Sequence, residues 1–162
     1  MSDPYEEILA GDLTLRLPPG ARHELVLARL RAAIQASVAD LPVATLLDQR
    51  SQIRVTHATA LRPDLALVTT AGNKLWLAVE VVSSDDHQAD TVTKKQIYED
   101  LKVPRLWMVD PRYDNVEVYH ATEYGLKLVS ILAGREVLEE KLLPEFQFVV
   151  AELFAPPPAT SD

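Results

Sequence analysis

Cysteine is absent from the 162 residues of the sequence. This absence excludes a disulfide-stapled scaffold, a cysteine-ligated zinc site and a thiol nucleophile. The sequence also lacks an apolar run of the roughly 18 residues that a membrane-spanning helix needs. Its first residues begin acidic and do not resemble the basic-then-apolar start of a secretory signal. We therefore expect a cytoplasmic protein without a membrane partner.

Basic residues are fewer than acidic residues. Lysine and arginine number 16 against 24 aspartate and glutamate residues, a formal net charge of -8. Such a balance disfavours non-specific, charge-driven binding of nucleic acid. The deficit is uneven, because residues 1–62 carry seven basic and seven acidic side chains, whereas residues 63–162 carry nine and seventeen. Any binding of anions is therefore expected to depend on the N-terminal part.

Length and composition indicate one folded domain. Hydrophobic residues make up 48% and charged residues 25% of the chain, both close to the globular average. A chain of this size can bury about two-thirds of its unfolded surface. We expect the domain to cover residues 1–155. Residues 156–162, which begin with three prolines, are expected to form a flexible tail.

Local patterns predict a mixed order of helices and strands. Asp3 and Pro4 are typical of a helix start, so a short helix is expected before Gly11. Longer helices are predicted at residues 21–39 and 86–101. Strands are predicted from apolar patterns at 13–17, 43–48, 51–56, 64–70, 75–82, 105–110, 116–120, 126–131 and 146–150. This order indicates an α/β domain with one central mixed β-sheet flanked by helices.

The strand predicted at residues 75–82 carries a charged side chain in its middle. Both faces of this strand are apolar, which is typical of a buried central strand, yet Glu80 lies within it. A buried carboxylate is costly unless it is paired, protonated or bound to a metal. The strand alone leaves open whether Glu80 forms a structural ion pair or belongs to a functional site.

The following helix places polar side chains at a regular spacing. Asp90, Lys94 and Tyr98 are four residues apart and therefore share one helical face. Apolar neighbours on that face indicate that it packs on the sheet, which would turn Lys94 inward. The structural alternative is an exposed Asp–Lys pair worth a few tenths of a kcal/mol.

Asp64 starts the strand that precedes the strand of Glu80. Two carboxylates on adjacent strands can hold Mg²⁺, which prefers oxygen ligands and retains several waters. A bound metal lowers the pKa of a water and stabilises charge on a phosphate, and a neighbouring lysine can assist. This set of groups suits phosphodiester hydrolysis.

Other catalytic arrangements find little support. The four histidines have no ligand spacing to one another, and Ser83 lacks the Gly-x-Ser-x-Gly setting of a hydrolase nucleophile. No phosphate-binding loop or dinucleotide glycine motif is present. His23 aligns with apolar residues of its helix, which favours a hydrogen-bonded core histidine over a catalytic base.

An ordered set of short segments spans most of the chain. Its central members are Pro63-Asp64, Glu80-Val81-Val82-Ser83, the triplet of the second helix, and Trp107-Met108-Val109-Asp110-Pro111. An opening segment at 7–13, a histidine at position 23 and a closing segment at 143–154 extend it. Together these segments resemble the Uma-two family of predicted endonucleases, part of the restriction-endonuclease-like superfamily with its PD-(D/E)xK motif. The resemblance implies a restriction-endonuclease-like domain that hydrolyses DNA with a metal ion.

The resemblance also implies a role for each matching residue. Asp64, Glu80 and Lys94 would be the catalytic residues. Asp64, Glu80 and the peptide carbonyl of Val81 would bind Mg²⁺, with Mn²⁺ as a substitute. The residues that would line or support the site are Glu7 from the expected first helix, His23, Ser83, Asp90 and Tyr98.

DNA and a second copy of the chain are the expected partners. Restriction-like nucleases often act as dimers so that both strands are cut, and symmetric dimers are common in general. Arginines of the N-terminal part could contact phosphates if the fold brings them to one face. The candidates are Arg22, Arg54 and Arg62.

The sequence departs from the family pattern at several positions. The motif lysine is expected two residues after Glu80, where Val82 stands, so Lys94 on the next helix would take its role. Ala10 replaces the usual aspartate before Gly11. The run at 83–87 lacks the usual proline and includes two aspartates, which add negative charge near the expected phosphate site.

Three functions are compatible with these residues. A Mg²⁺-dependent nuclease ranks first, because the two carboxylates and the lysine are all present. A binding or dimerisation module that retains the nuclease fold is the second, supported by the acidic balance and the lack of a basic stripe. A hydrolase of a small phosphorylated substrate would suit the negative charge, but no motif favours it.

Overall fold

The computed structural model describes residues 3–83 and 88–158. Its strands are β1 (Tyr5–Leu9), β2 (Asp12–Arg16), β3 (Ala44–Leu46), β4 (Ile53–Thr56), β5 (Thr59–Leu61), β6 (Leu65–Thr69), β7 (Leu75–Val81), β8 (Arg105–Asp110), β9 (Asn115–Thr122), β10 (Gly125–Ala133), β11 (Val137–Glu140) and β12 (Leu143–Val149). Its helices are α1 (Ala21–Val38), α2 (Lys95–Leu101) and α3 (Val150–Phe154). A π-helical turn, Ala89–Lys94, leads directly into α2.

A six-stranded mixed sheet forms the centre of the fold, in the order β10-β9-β8-β7-β6-β3. Only β7 and β8 run parallel, because the crossover through the π-helical turn and α2 returns the chain to the same end of the sheet. The antiparallel pairing of β6 with β7 sets Leu65 opposite Val79. Asp64, one residue earlier, therefore comes level with Glu80 on the neighbouring strand. The α/β class and the mixed central sheet are as predicted.

The two faces of this sheet are covered by different elements. Helix α1 packs on one face, where Leu27, Leu30 and Ile34 contribute to the larger core. On the other face Tyr98 of α2 packs with Leu106 and other residues in a smaller core. The side chain of Glu80 emerges on this second face, so α2 lies directly over it.

Trp76 departs from the alternation predicted for β7. Alternation would put it on the face of Glu80, but it lies in the core under α1. The pairing with β6 explains the change, because Leu67 pairs with Leu77 and Val68 with Leu75, which leaves Trp76 as an extra residue in the ladder. Such a bulge shifts the alternation on its N-terminal side, so Trp76 joins the larger core and Leu75 packs against the smaller one.

The N-terminal segment was predicted as a short helix, and this prediction is wrong. Residues 5–16 form a hairpin of β1 and β2, whose turn uses Ala10 and Gly11 at φ 51° and 89°. Positive φ at both turn residues is the geometry that suits two-residue hairpins, and the paired strands outweigh the capping signal of Asp3. The hairpin extends into a second sheet, β2-β1-β5-β4, where only one central sheet had been expected. Strands β5 and β11 had not been predicted.

The remaining boundaries agree closely with the sequence patterns. The predicted helix at 86–101 begins, within the described residues, at Ala89 and is π-helical in its first turn. Residues 86–87 of that prediction lie outside the described residues. The predicted tail is described only to residue 158, and residues 156–158 are exposed. None of the described helices is long and apolar enough to cross a membrane.

Candidate active site

Lys94 lies at the centre of a buried group of charges. Its ammonium nitrogen is 2.6 Å from Glu80 Oε1 and 2.8 Å from Glu7 Oε2, and its side chain is fully buried. A third and longer contact, of 3.4 Å, joins it to the carbonyl oxygen of Arg62. The spacing on the helix had predicted that Lys94 points inward, and the structure places it so. The exposed Asp–Lys pair considered as an alternative does not form.

One of the two carboxylate oxygens of Glu80 carries its contacts with Tyr98 and Lys94. Tyr98 donates its hydroxyl proton to Glu80 Oε1 over 2.5 Å, so the tyrosine and Lys94 share this oxygen. The other oxygen, Oε2, is buried and has no hydrogen-bond partner among the described residues. An unpartnered buried oxygen is costly, and it identifies Glu80 Oε2 as the atom most available to a further ligand.

Asp64 is anchored more completely. Its Oδ2 accepts a hydrogen bond of 2.8 Å from the amide of Val81, and its Oδ1 accepts one of 3.0 Å from Arg50 Nε. His23 Nε2 lies 3.6 Å from Oδ2. The amide contact ties the start of β6 to the end of β7 and brings Asp64 beside Val81.

His23 occupies the first turn of α1 and is buried. Its Nε2 hydrogen-bonds the carbonyl of Val81 over 2.7 Å. This contact agrees with the interpretation of His23 as a hydrogen-bonded core histidine. It also fixes the Val81 carbonyl, the third group predicted to bind a metal.

Glu7 reaches the site from β1 and not from a helix, which corrects the expectation for its element. Its Oε1 pairs with Arg16 at 2.7 Å, and its Oε2 accepts the Arg62 amide at 2.6 Å in addition to Lys94. Arg16 continues to Asp90 Oδ1 at 2.8 Å. The hairpin therefore closes over the site through buried ion pairs.

Asp90 links the π-helical turn to the end of β7. Besides Arg16, it contacts Ser83, whose amide donates to Asp90 Oδ2 over 3.2 Å. The structure thus brings together every residue predicted to be catalytic, metal-binding or supporting. These are Glu7, His23, Asp64, Glu80, Val81, Ser83, Asp90, Lys94 and Tyr98.

Carboxylates outnumber permanent cations in this network. Within residues 3–83 and 88–158, Glu7, Asp64, Glu80 and Asp90 pair with the three permanent cations Arg16, Arg50 and Lys94. Burial raises the pKa of Glu80 to about 8, Lys94 opposes the rise, and the charges of the other carboxylates add to it. Burial alone would lower the pKa of Lys94, but Glu80 and Glu7 raise it above its ordinary value. The excess negative charge is therefore suited to be offset by a proton or a cation.

Asp64 shows the opposite behaviour. Burial by itself raises its pKa, but the hydrogen bond and charge of His23, followed by the charges of Arg50 and Lys94, bring it down to about 2. Two neighbouring carboxyl groups with widely separated pKa values are typical of functional sites. Asp64 is thus a permanent carboxylate next to a weakly acidic Glu80.

Two arginines of the site were not predicted from the sequence. Arg50 bridges Asp64 and Glu24, and Arg16 bridges Glu7 and Asp90. Both guanidinium groups also lie over the ring of Tyr5, at 5.6 and 5.7 Å from its centre. A sequence signal existed for Arg16, because alternation in β2 turns it away from the leucines. Arg50 lies in a turn, and nothing in its local pattern indicates a position in the site.

The three arginines proposed for DNA contact lie in different settings. Arg22 pairs with Asp114 at the surface and lines a small depression of about 160 Å³ with His23, Ser83 and Arg112. This depression lies beside the carboxyl end of β7, and two of the predicted supporting residues, His23 and Ser83, line it. Arg62 donates to the Arg50 carbonyl at 3.1 Å and is half-buried. Arg54 is exposed on β4.

The residues present fit a Mg²⁺ ion. Within residues 3–83 and 88–158, no three His, Cys, Asp or Glu side chains form a ready metal-binding cluster. Mg²⁺ requires less than this, because it commonly binds through one or two carboxylates and keeps several waters. Asp64, Glu80 with its unpartnered Oε2, and the Val81 carbonyl provide such a set of oxygen donors.

The fold is similar to that of a solved structure. That structure is described as the crystal structure of a putative nuclease belonging to DUF820 from Anabaena variabilis ATCC 29413. The two align with a TM-score of 0.78 and 14% identity, over 94% of this chain and 91% of the other. No curated protein matches the chain. At this identity the likeness establishes a shared fold.

The family assignment comes from the sequence. Residues 2–151 match the family described as "Uma2: Putative restriction endonuclease". The match contains all the residues of the buried network as well as both sheets that hold them. The chain therefore belongs to the Uma2 family of restriction-endonuclease-like proteins.

Proposed function

We propose that this protein is a Mg²⁺-dependent endonuclease that hydrolyses phosphodiester bonds of DNA. The observation that carries the proposal is the meeting of Asp64, Glu80 and Lys94 in one buried network in which Glu80 Oε2 has no hydrogen-bond partner among the described residues. Family membership and the fold of the nuclease-like neighbour support a nuclease in the broader sense.

Asp64, Glu80 and the Val81 carbonyl would hold Mg²⁺. When bound, the ion would lower the pKa of a water molecule and stabilise charge on the phosphate. Asp64 keeps its position through the Val81 amide and Arg50, and Glu80 keeps its position through Tyr98. These contacts hold the donor oxygens before any ligand arrives.

Lys94 would orient the attacking water and offset phosphate charge. Its ammonium has three protons, directed to Glu80, Glu7 and the Arg62 carbonyl. The contact to Arg62, at 3.4 Å, is the longest and the most easily exchanged for a water or a phosphate oxygen. In the reaction the water oxygen bonds to phosphorus, one bridging P–O bond breaks, and the released oxygen leaves with a proton.

The test is cleavage of supercoiled plasmid and of linear single- and double-stranded DNA, with Mg²⁺ and with Mn²⁺. We expect nicked or shortened products with metal and none with EDTA. Asp64→Asn and Glu80→Gln keep side-chain size, and each should lower the rate by at least about a hundredfold. Isothermal calorimetry on the same variants reports the loss of metal binding without reliance on activity.

Lys94→Met tests the lysine, with Lys95→Met as its matched control. Lys95 is the next residue on the helix and lies over the Tyr119 ring, outside the charged network. We expect Lys94→Met to abolish cleavage and Lys95→Met to retain it, with circular dichroism confirming that both variants are folded. Equal activity of the two variants would remove Lys94 from the catalytic set.

A binding module that retains the nuclease fold is the second candidate. The observation that favours it is that the site is buried and internally paired: Lys94 pairs with Glu80 and Glu7, and Asp64 is held by Arg50 and the Val81 amide. This candidate predicts that calorimetry detects no heat of metal binding and that the wild-type protein cleaves no form of DNA. That combined result would replace the nuclease proposal.

We also expect the nuclease to act as a homodimer. Strand β2 is an edge of the second sheet, and Leu13, Leu15 and Leu17 are exposed along it. An unpaired edge with an apolar face can pair with the same strand of a second copy. Sedimentation velocity should give a dimer for the wild type and a monomer for Leu15→Lys. A wild-type monomer at all concentrations would contradict this expectation.

A further inference from the structure

A second depression lies at the opposite end of β7 from the candidate active site. It has a volume of about 530 Å³ and is formed by β4, the β6–β7 turn and the segment that joins α2 to β8. Three cations line it, one from each of these elements, and no acidic residue does. We call this depression the basic groove and define it by Arg54, Lys74 and Lys102. Its composition contrasts with the net charge of -8 of the whole chain.

The three side chains are free to bind a ligand. Within the part of the chain that the structure describes, none of them forms an ion pair or a side-chain hydrogen bond. Other arginines are engaged at short distances: Arg105 with Glu140, for example, and Arg112 with Asp110. Three unpaired cations in one depression repel one another unless an anion lies between them, although the chain as a whole has an excess of acidic residues. Their convergence is therefore suited to an anion from outside the chain.

The shape of the basic groove favours an extended anion. Val55, Leu75 and Trp76 also line it, so that apolar surface lies between the charges. Arg54 and the two lysines are exposed and come from different parts of the chain. Several phosphates in a row, separated by less polar sugars, complement this arrangement better than one small ion.

The distance to the candidate active site matches a short stretch of DNA. Five residues of β7 separate Leu75 from Glu80, which corresponds to about 17 Å along a strand. Phosphates follow one another every 3.4 Å or so along one DNA strand, so about five nucleotides cover this length. Resting on the proposed function, we infer that the basic groove binds the phosphate backbone of duplex DNA about five base pairs from the cleavage site.

The test is binding of a fluorescein-labelled 20-base-pair duplex, followed by anisotropy in EDTA and again with Ca²⁺. The variant replaces the groove cations together, Arg54→Gln, Lys74→Gln and Lys102→Gln. The matched control replaces three exposed cations elsewhere, Lys127→Gln, Arg135→Gln and Lys141→Gln, and so changes the net charge equally. Thermal melting of both variants confirms that these exposed substitutions leave the fold intact.

We expect the groove variant to bind the duplex at least about tenfold more weakly than the wild type. The slope of log K against log salt concentration should also become less steep by about two to three, because each lost phosphate contact removes about 0.9 from it. The control variant should bind within about twofold of the wild type. Equal weakening of both variants, or no weakening of the groove variant, would overturn the inference. So would a wild-type protein that binds no duplex under either condition.

Cleavage assays separate this result from the proposed function. A wild type that cuts DNA while both triple variants bind equally well would refute the basic groove and keep the nuclease. A wild type that binds DNA through the groove but never cuts it would keep the groove and refute the nuclease.

Discussion

At the scale of single residues, the site contains two adjacent carboxyl groups, Asp64 and Glu80, whose hydrogen bonds and pKa values differ. Asp64 accepts two hydrogen bonds and faces His23, whereas one oxygen of Glu80 has no hydrogen-bond partner in the part of the chain that the structure describes. The same degree of burial therefore leaves Asp64 ionised and makes Glu80 weakly acidic, with pKa values of about 2 and about 8. Hydrogen-bond donors, more than burial, decide which carboxylate is permanent.

The low pKa of Asp64 predicts a specific loss of stability in acid. The folded-state pKa of about 2 lies below the ordinary value of 3.8, so the unfolded chain binds protons first as the pH falls. The contribution of Asp64 is complete above about pH 4 and is lost as the pH falls through about 2. It amounts to about 2 kcal/mol in the free energy of unfolding.

Urea unfolding of the wild type and of Asp64→Asn at several pH values tests this prediction. Because asparagine does not titrate, the difference in unfolding free energy between the two proteins should shrink by about 2 kcal/mol from pH 5 to pH 2. A difference that is the same at both ends would show that Asp64 is not stabilised as a carboxylate.

At the scale of elements, the β1–β2 hairpin acts as the cover of the site. Its pairing with β5 consists of the pair Ile8–Ala60, and hydrogen bonds from the turn residues Ala10 and Gly11 reach Thr59 and Ala58. Arg16 adds a buried link between the hairpin and the rest of the molecule, because it joins Glu7 of the same hairpin to Asp90 of the π-helical turn. This ion pair therefore ties the hairpin to the π-helical turn that carries Lys94.

Arg16→Met should destabilise the protein strongly. It removes the cation that pairs with Asp90 and leaves Glu7 paired with Lys94 alone, and breaking a buried ion pair in this way typically costs about 3–5 kcal/mol. Arg22→Met is the matched control, since the Arg22–Asp114 pair is exposed on both sides and such pairs contribute between about 0 and 1 kcal/mol. Urea unfolding measures both variants.

Hydrogen exchange locates the effect of Arg16→Met in the fold. Amides of β1 and β2 should lose protection more than amides of β7 and β8, because the hairpin loses its anchor to the rest of the molecule. Destabilisation no larger than that of Arg22→Met would contradict the role assigned to the buried pair.

At the scale of the whole molecule, a metal ion should stabilise the fold. The net charge of -8 means that any salt reduces repulsion to some extent, so specific binding has to be distinguished from screening. A ligand present at a hundred times its Kd adds about 2.7 kcal/mol, which corresponds to about 5–10 °C in Tm for a domain of this size. We expect such a rise with saturating Mg²⁺.

Sodium chloride at equal ionic strength is the control for screening. It should raise Tm by much less than Mg²⁺ does, and Glu80→Gln should lose the Mg²⁺-specific part of the rise while keeping the effect of salt. A wild type that responds equally to both salts would argue that the acidic network binds no ion.

Several elements could be predicted because their residues carry strong local signals. The apolar run of β7 identified a buried central strand, and the four-residue spacing of Asp90, Lys94 and Tyr98 identified one face of a helix. The hairpin was missed because Asp3 and Pro4 give a helix-start signal, whereas the pairing of β1 with β2 over five residue pairs supplies the competing stability. Trp76 was assigned to the wrong face because a bulge depends on the partner strand.

The residue types and spacings by themselves determined the acidic pair, the inward lysine and the family. These follow from local periodicity and from ordered motifs, which do not require knowledge of long-range contacts. Only the tertiary structure decided which cations balance the carboxylates, that Glu80 keeps one oxygen free, and where unpaired cations converge. Arg16 and Arg50 reach the site from separate elements, and Arg54, Lys74 and Lys102 meet across three others. Convergence of this kind depends on how distant segments pack, and local sequence does not encode it.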